Sequence, residues 1–196
     1  MTVRIGYLHG FLGDAAAARD PAFGFPGPDE RAISIALPGH GNSYALPECR
    51  GGPVRATWAD NLEAVAERIR DCDLVVGYSL GARVAIGLVI AGHVPRAVLI
   101  SVNPGIDDAE RAARRASDGA WARMLREHGL LAFLDAWEAQ PLFATQTRVA
   151  LARREARRSI RLRLDPEQLA RSLEIMGLAE MPDYRSQIDD RFALIA

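Results

Sequence analysis

The apolar run Leu74–Tyr78 stops at Ser79, and an almost wholly apolar stretch, Leu80–Ala91, begins at the very next residue. The first run is β-rich and short enough for a strand. The second is too long for one and reads as a helix buried against a sheet. A strand with no polar alternation is covered on both faces, which is the signature of an inner strand in a parallel sheet. The turn between the two has to be very tight, and glycines stand at its outer positions in Gly77-Tyr78-Ser79-Leu80-Gly81.

Other segments fit the same layered plan. Val3–Leu8 reads as a strand ending at His9-Gly10. Ala32–Leu37 reads as another, ending at Pro38-Gly39-His40-Gly41, and Ala97–Val102 as a third, ending at Asn103-Pro104-Gly105. Residues 58–70 place apolar side chains at helical spacing. Alternating strands and helices give an α/β fold, a mostly parallel sheet flanked by helices. Such sheets bind ligands beyond the carboxyl ends of their strands, so these turns converge in space. From Ile106 to about Met181 the strand patterns give way to arginine-rich helical segments, at 107–116, 119–128, 130–139, 146–163 and 166–176. We read 1–105 as a core, 106–183 as an inserted helical cap, and 184–196 as the return to the core, with Arg191–Ile195 starting a strand.

Composition excludes several classes. The chain has 196 residues, 49% of them hydrophobic, enough for one well-filled domain. The formal net charge of −1 gives no field that would draw it to nucleic acid. All basic residues are arginine. Two cysteines, Cys49 and Cys72, form no zinc pattern and suit a reducing cytoplasm. The N-terminus lacks the apolar stretch of a signal peptide, and the longest apolar run, around Val84–Ala91, is too short to span a bilayer. We expect a cytoplasmic protein, compatible with a monomer, that needs no metal and no cofactor.

Gly77–Gly81 matches the Gly-x-Ser-x-Gly nucleophile elbow, which lifts a serine hydroxyl above the sheet. The Leu80 N–H then points into the same space from the positive end of the helix. An oxyanion hole needs a second amide, and the His9–Gly13 loop offers that of Phe11; alone, the same five residues read equally well as a plain turn. His40 could serve as a base or simply set its own turn, and His9 reads as structural. Neither His93, at the far end of the helix, nor His128 is a credible base. Arg83 lies one helical turn after Ser79 on the same face. It is either a buried arginine held by a structural carboxylate or a clamp for a substrate carboxylate, which the guanidinium fork binds bidentately. Among the cap arginines 111, 114, 115, 157, 158, 161 and 163, most belong on solvated helix faces. Trp137 is either cap core or pocket wall.

Together these motifs resemble the α/β-hydrolase superfamily. Finer features narrow the resemblance: GYSLGAR at 77–83, SVNPG at 101–105, ERAARR at 110–115, Asp118, FLDAWEAQPLF at 133–143, Leu169-Ala170 and MPDY at 181–184. In this order they are similar to the 2-succinyl-6-hydroxy-2,4-cyclohexadiene-1-carboxylate synthases of menaquinone biosynthesis. The resemblance implies an α/β-hydrolase fold with a cap, and a lyase that eliminates pyruvate from 2-succinyl-5-enolpyruvyl-6-hydroxy-3-cyclohexene-1-carboxylate. It implies Ser79 as the catalytic residue, the backbone of Phe11 and Leu80 as oxyanion hole, and Tyr78, Arg83, Arg114, Trp137 and Arg161 as binders of a small polyanionic substrate. Glu138 departs from the pattern, because many relatives carry an aromatic residue there. The alanine-rich segment 14–20 also lacks the usual tryptophan.

The family's aspartate and histidine come after the strand that begins RFALI, so the sequence reads as truncated before the last strands and helix. A serine without its histidine is a poor base, and losing triad members costs on the order of 10⁴ to 10⁶ in rate. Two alternatives stay open: an esterase, thioesterase or carbon–carbon hydrolase on the same fold, and a non-catalytic binding module. Fold does not choose among them.

Overall fold

A computed structural model describes residues 3–15, 32–41 and 51–195. Cys49 and residues 16–20 of the alanine-rich segment lie outside the described residues. Five parallel strands form one sheet: β1 (Ile5–Leu8), β2 (Ala32–Ile35), β3 (Leu74–Tyr78), β4 (Ala97–Ile100) and β5 (Phe192–Ile195), in spatial order β2-β1-β3-β4-β5. Ile5 stands beside Ala32 on one side and Leu74 on the other, and Val75 beside Ala97. The strand expected at Arg191–Ile195 forms as β5 and pairs with β4. The expected α/β-hydrolase arrangement of a parallel sheet flanked by helices is therefore the one observed.

The chain leaves β1 toward β2 and returns to β3 on the other side of β1, so the order reverses between β1 and β3. Loops diverge at such a switch point and leave a crevice. The loop after β1 and the Ser79 turn both open onto it.

Two helices cover the sheet next. Helix α1 (Trp58–Ile69) starts at Thr57, whose side chain accepts from the Asp60 amide while Asp60 accepts from Thr57. This capping box satisfies two amides that a helix start leaves free. Helix α2 (Leu80–Ile90) buries nine of its eleven residues. Each fully buried leucine, isoleucine or valine contributes about 1.5–3 kcal/mol, so α2 fixes the position of the turn that starts it. The main core gathers Leu8, Leu37, Ile69, Val75, Ile86, Leu88 and Leu99 around these elements.

The helices between β4 and β5 have a core of their own, with Leu125, Phe133, Leu134, Leu164, Leu169 and Leu173. They are α3 (Asp108–Glu138), α4 (Leu151–Arg161) and α5 (Pro166–Ile175), with a 3₁₀ segment at Pro141–Arg148. The sequence spacing suggested three helices where α3 runs. Residues 108–128 are one continuous helix instead, because Ser117, Asp118 and Gly119 carry no stop signal strong enough to end it. The only break is at Gly129, whose φ of 75° suits glycine alone. The helix expected over 146–163 is shorter, since residues before Leu151 coil into the 3₁₀ segment. Arg111 donates to the carbonyls of Ala179 (2.6 Å) and Met181 (2.9 Å), and the Tyr184 amide donates to Pro104 (2.9 Å). These bonds tie the beginning of the helical segment to its end.

Candidate active site

Ser79 sits between β3 and α2 with φ 51° and ψ −109°, a backbone state that L residues rarely adopt. Its neighbours enforce it. A Cβ on Gly77 would lie 2.5 Å from the Gly81 oxygen, and one on Gly81 would lie 2.6 Å from the His9 oxygen. The Ser79 amide donates to Ile100 (3.0 Å) in the next strand, and its carbonyl accepts from Arg83 (3.1 Å). Strain of this kind persists only where the surroundings over-determine it. The hydroxyl makes no hydrogen bond among the described residues, and Ser79 is the residue from which α2 starts.

The loop after β1 closes on the same spot. A Cβ on Gly10 would lie 2.9 Å from Tyr78 Cδ1 and 3.4 Å from Ser79 Cβ, so the loop backbone runs directly against the turn. Phe11 follows, and among the described residues neither its amide nor that of Leu80 has an acceptor. Leu80 is the first residue of its helix, where amides lack an intrahelical partner.

His9 holds this loop. Its Nδ1 lies 2.7 Å from the Gly10 oxygen and its Nε2 accepts from the Leu37 amide (3.0 Å), which requires the neutral ring protonated on Nδ1. Burial, followed by the neighbouring His40, pushes its pKa down to about 3. His40 is also buried, with Nδ1 3.0 Å from the Pro38 oxygen, and burial pushes it down to about 4. Both rings therefore stay neutral while folded, though each would take up a proton near pH 6.5 once unfolded. They stabilise the fold above pH 6.5, and that contribution is lost as pH falls toward about 4 for His40 and about 3 for His9. Each withdraws up to about 1.4 kcal/mol per pH unit within its window. Urea unfolding at pH 7 and pH 5 is expected to show a lower midpoint at pH 5; equal midpoints would contradict neutral buried rings. Of the other histidines, His93 pairs with Glu63 (3.1 Å) beyond the far end of α2, and His128 is exposed.

Beyond Ser79 the site is cationic. Arg83 is packed deep among protein atoms while part of its surface stays open, and Nη1 donates to the Met176 carbonyl (3.2 Å). Burial first, then the nearby Arg114, hold its pKa down to about 10, against the pull of Asp118. Arg114 Nε donates to Asp118 Oδ2 (2.9 Å), and the Asp118 side chain is 5% exposed. Arg114 thus pairs with the buried Asp118, while Arg83 stands near both groups without an ion-pair partner among the described residues, a positive charge one helical turn from the serine.

Trp137 packs against the core of the helical segment. Its ring lies 5.2 Å from Phe11, 5.3 Å from Phe133 and 5.1 Å from Trp121. The aromatic group thereby joins the β1 loop to α3. Tyr78 lies against Gly10 at the end of β3. Arg161, expected to bind substrate, is paired with an acid of the cap. Its Nη1 donates to Glu138 Oε1 (2.7 Å), while Arg158 Nη1 donates to the other oxygen (3.0 Å).

Residues 7–194 match the model of the alpha/beta hydrolase family. The chain belongs to that family. It is 33% identical over 202 residues to the 2-succinyl-6-hydroxy-2,4-cyclohexadiene-1-carboxylate synthase of Citrobacter koseri, covering 94% of this chain and 71% of the relative. The synthase of Salmonella newport is 34% identical over 204 residues, covering 96% and 73%. The structure of MenH from S. aureus superposes with a TM-score of 0.82 at 27% identity, over 99% of this chain and 74% of that one. A thermophilic esterase from Thermogutta terrifontis superposes with a TM-score of 0.70 at 21% identity, which speaks for the fold alone. The resemblance drawn from the sequence motifs is thus upheld.

Two features around the arginines escaped sequence reasoning. Asp118 as the counter-ion of Arg114 was legible in principle, since the two stand four apart on a helix. Glu138 as the partner of both Arg158 and Arg161 carried no local signal, because the pairing joins residues 20 and 23 apart on two helices. Among the described residues no group of three or more histidine, cysteine or acidic side chains could hold a metal ion. No described helix is long and apolar enough to cross a membrane.

Proposed function

We propose that this protein eliminates pyruvate from 2-succinyl-5-enolpyruvyl-6-hydroxy-3-cyclohexene-1-carboxylate, giving 2-succinyl-6-hydroxy-2,4-cyclohexadiene-1-carboxylate. The observation that carries the reading is Arg83, packed deep one helical turn from Ser79 with only a backbone carbonyl as its hydrogen-bond acceptor, and with Arg114 nearby already paired to Asp118. A desolvated positive charge without a carboxylate of its own is costly unless a ligand brings negative charge. A substrate with several carboxylates supplies it, and a neutral ester does not.

In this reading Ser79, deprotonated by a histidine as in the family's triad, takes a proton from the substrate ring. The C–H electron pair becomes the new ring double bond, the C–O bond breaks, and the enolate of pyruvate leaves and takes up a proton. Leu80 and Phe11 offer their amides to the negative charge that develops. Arg83 and Arg114 bind substrate carboxylates, Tyr78 and Trp137 line the ring's position, and the helices at 106–183 act as the cap that keeps water out. Its setting is a menaquinone pathway in the cytoplasm.

The test is an Arg83→Ala, Arg114→Ala double variant of the intact gene product. Turnover of the cyclohexene substrate is expected to fall about 10²- to 10⁴-fold in kcat/KM, the size of two lost charge-assisted contacts. Hydrolysis of a neutral test ester, if any, is expected to change little. Retained turnover of the cyclohexene substrate would sink the assignment.

A further inference from the structure

We propose that Asp118 is a positioning residue: it holds Arg114 by Nε alone and so sets that guanidinium in advance, with both Nη groups left for a substrate carboxylate. The inference rests on the reading of Arg114 as a binder of a polyanionic substrate.

Helix stability does not account for the pair. Arg114 and Asp118 stand one turn apart on α3 with the cation first, the order that supports a helix less. An exposed pair of this kind contributes little in any case. This one is lopsided instead, with the Asp118 side chain 5% exposed and that of Arg114 40%. The cost of burying a carboxylate is offset only when its hydrogen bonds are well met. Among the described residues Asp118 accepts just one, from Arg114.

The turn after α5 fixes where the carboxylate sits. The Met176 carbonyl accepts from Arg83 Nη1 (3.2 Å), and the next residue lies against Asp118, since a Cβ on Gly177 would be 2.7 Å from Oδ2. Two consecutive residues thus meet Arg83 from α2 and Asp118 from α3. Arg83 also feels both charges of the pair, repelled by Arg114 and attracted by Asp118. The pair therefore stands within electrostatic reach of the arginine that follows Ser79 by one helical turn.

Asp118 takes only the inner N–H of Arg114, at 2.9 Å, and among the described residues the Nη groups make no hydrogen bond. A guanidinium carries its donors in a rigid planar fork, so a carboxylate at Nε sets the plane and leaves the Nη donors open. A long side chain in contact with solvent loses rotamer freedom when a ligand binds, and one already held loses less.

The sign of the change in KM separates position from charge. Removing a negative charge beside an anionic substrate, by itself, tightens binding. In the intact gene product Asp118→Ala is nonetheless expected to raise KM for the cyclohexene substrate roughly tenfold with kcat within about threefold, as when a contact made equally in ground and transition states is lost. Asp118→Asn keeps an acceptor for Nε and loses only the charge, and its KM is expected at or below the parent's. In an Arg114→Ala background, Asp118→Ala is expected to leave KM unchanged or lower it, because the carboxylate then only repels the substrate. An unchanged or lower KM in Asp118→Ala, an equal rise in Asp118→Asn, or a rise that persists without Arg114 would each overturn the inference. If Asp118→Ala does not fold, Asp118→Ser, whose hydroxyl ends short of Nε, takes its place with the same expectations. Calorimetric titration with succinate runs the same cycle without turnover, and its dissociation constant is expected to move as KM does. A parent that binds succinate in this pattern but does not turn over the cyclohexene substrate defeats only the lyase. Parent turnover with KM indifferent to Asp118 defeats only the positioning role. Neither turnover nor succinate binding by the parent defeats both.

Discussion

Ser79→Ala is expected to lower kcat of the intact gene product by about 10⁴- to 10⁶-fold, the range seen when a nucleophile or base acting as part of a unit is removed. KM is expected to stay within a few-fold, because the hydroxyl adds little to binding beside the charges of Arg83 and Arg114. Stability separates this effect from damage to the fold. Ser79 and its replacement share a φ of 51°, so the strain is retained and the unfolding free energy is expected to change by less than about 0.5 kcal/mol. Ser79→Gly removes the steric penalty of that backbone state and is expected to stabilise the protein by about 1 kcal/mol while staying equally inactive. A stabilised, inactive glycine variant is what a strained functional turn predicts. An alanine variant with full turnover of the cyclohexene substrate would rule out Ser79 as its base, and Ser79→Gly below the parent in stability would rule out stored strain.

The sheet was legible because its signals are local. Leu74–Tyr78 is apolar on both faces, and glycines bracket Ser79, so strand, turn and helix follow from the consecutive residues 74–91. Convergence of the β1 loop with that turn followed from parallel strands ending at one edge. Strand ends were overestimated at Val3, Leu37 and Val102; Leu37 and Val102 continue past the last ladder bond against the core, whereas Val3 is exposed. The long α3 was divided wrongly because Gly119 and polar Asp118 look like a stop, whereas Asp118 is buried as a counter-ion and Gly129 makes the real break. Ion pairs were the least legible part. Arg126 with Glu167 and Glu174, and Glu138 with Arg158 and Arg161, join residues far apart in sequence, and an arginine-rich helix looks the same whether it is solvated or clamped.

Gly81→Ala is expected to cost at least about 3 kcal/mol, more than ordinary overpacking of a core. The new methyl carbon would stand 2.5 Å from the Leu8 carbonyl carbon and 2.6 Å from the His9 oxygen. Both are backbone atoms at the end of β1, which is hydrogen-bonded to β2 and β3 on its two sides, so neither can turn aside as a side chain would. The helix would have to tilt away from β1, opening the core behind Leu80, Val84 and Leu88. Alanine's better helix propensity returns only about 1 kcal/mol. Gly119→Ala provides the opposite sign: it lies within α3, with nothing closer than 3.7 Å to its missing Cβ, and is expected to gain up to about 1 kcal/mol. Urea unfolding of the two variants reads both effects. A Gly81→Ala protein as stable as its parent would mean that α2 is free to move from β1. The proposed use of the Phe11 and Leu80 amides on one developing charge needs it not to be, and the glycine that lets the helix come so close to the strand holds the two segments together.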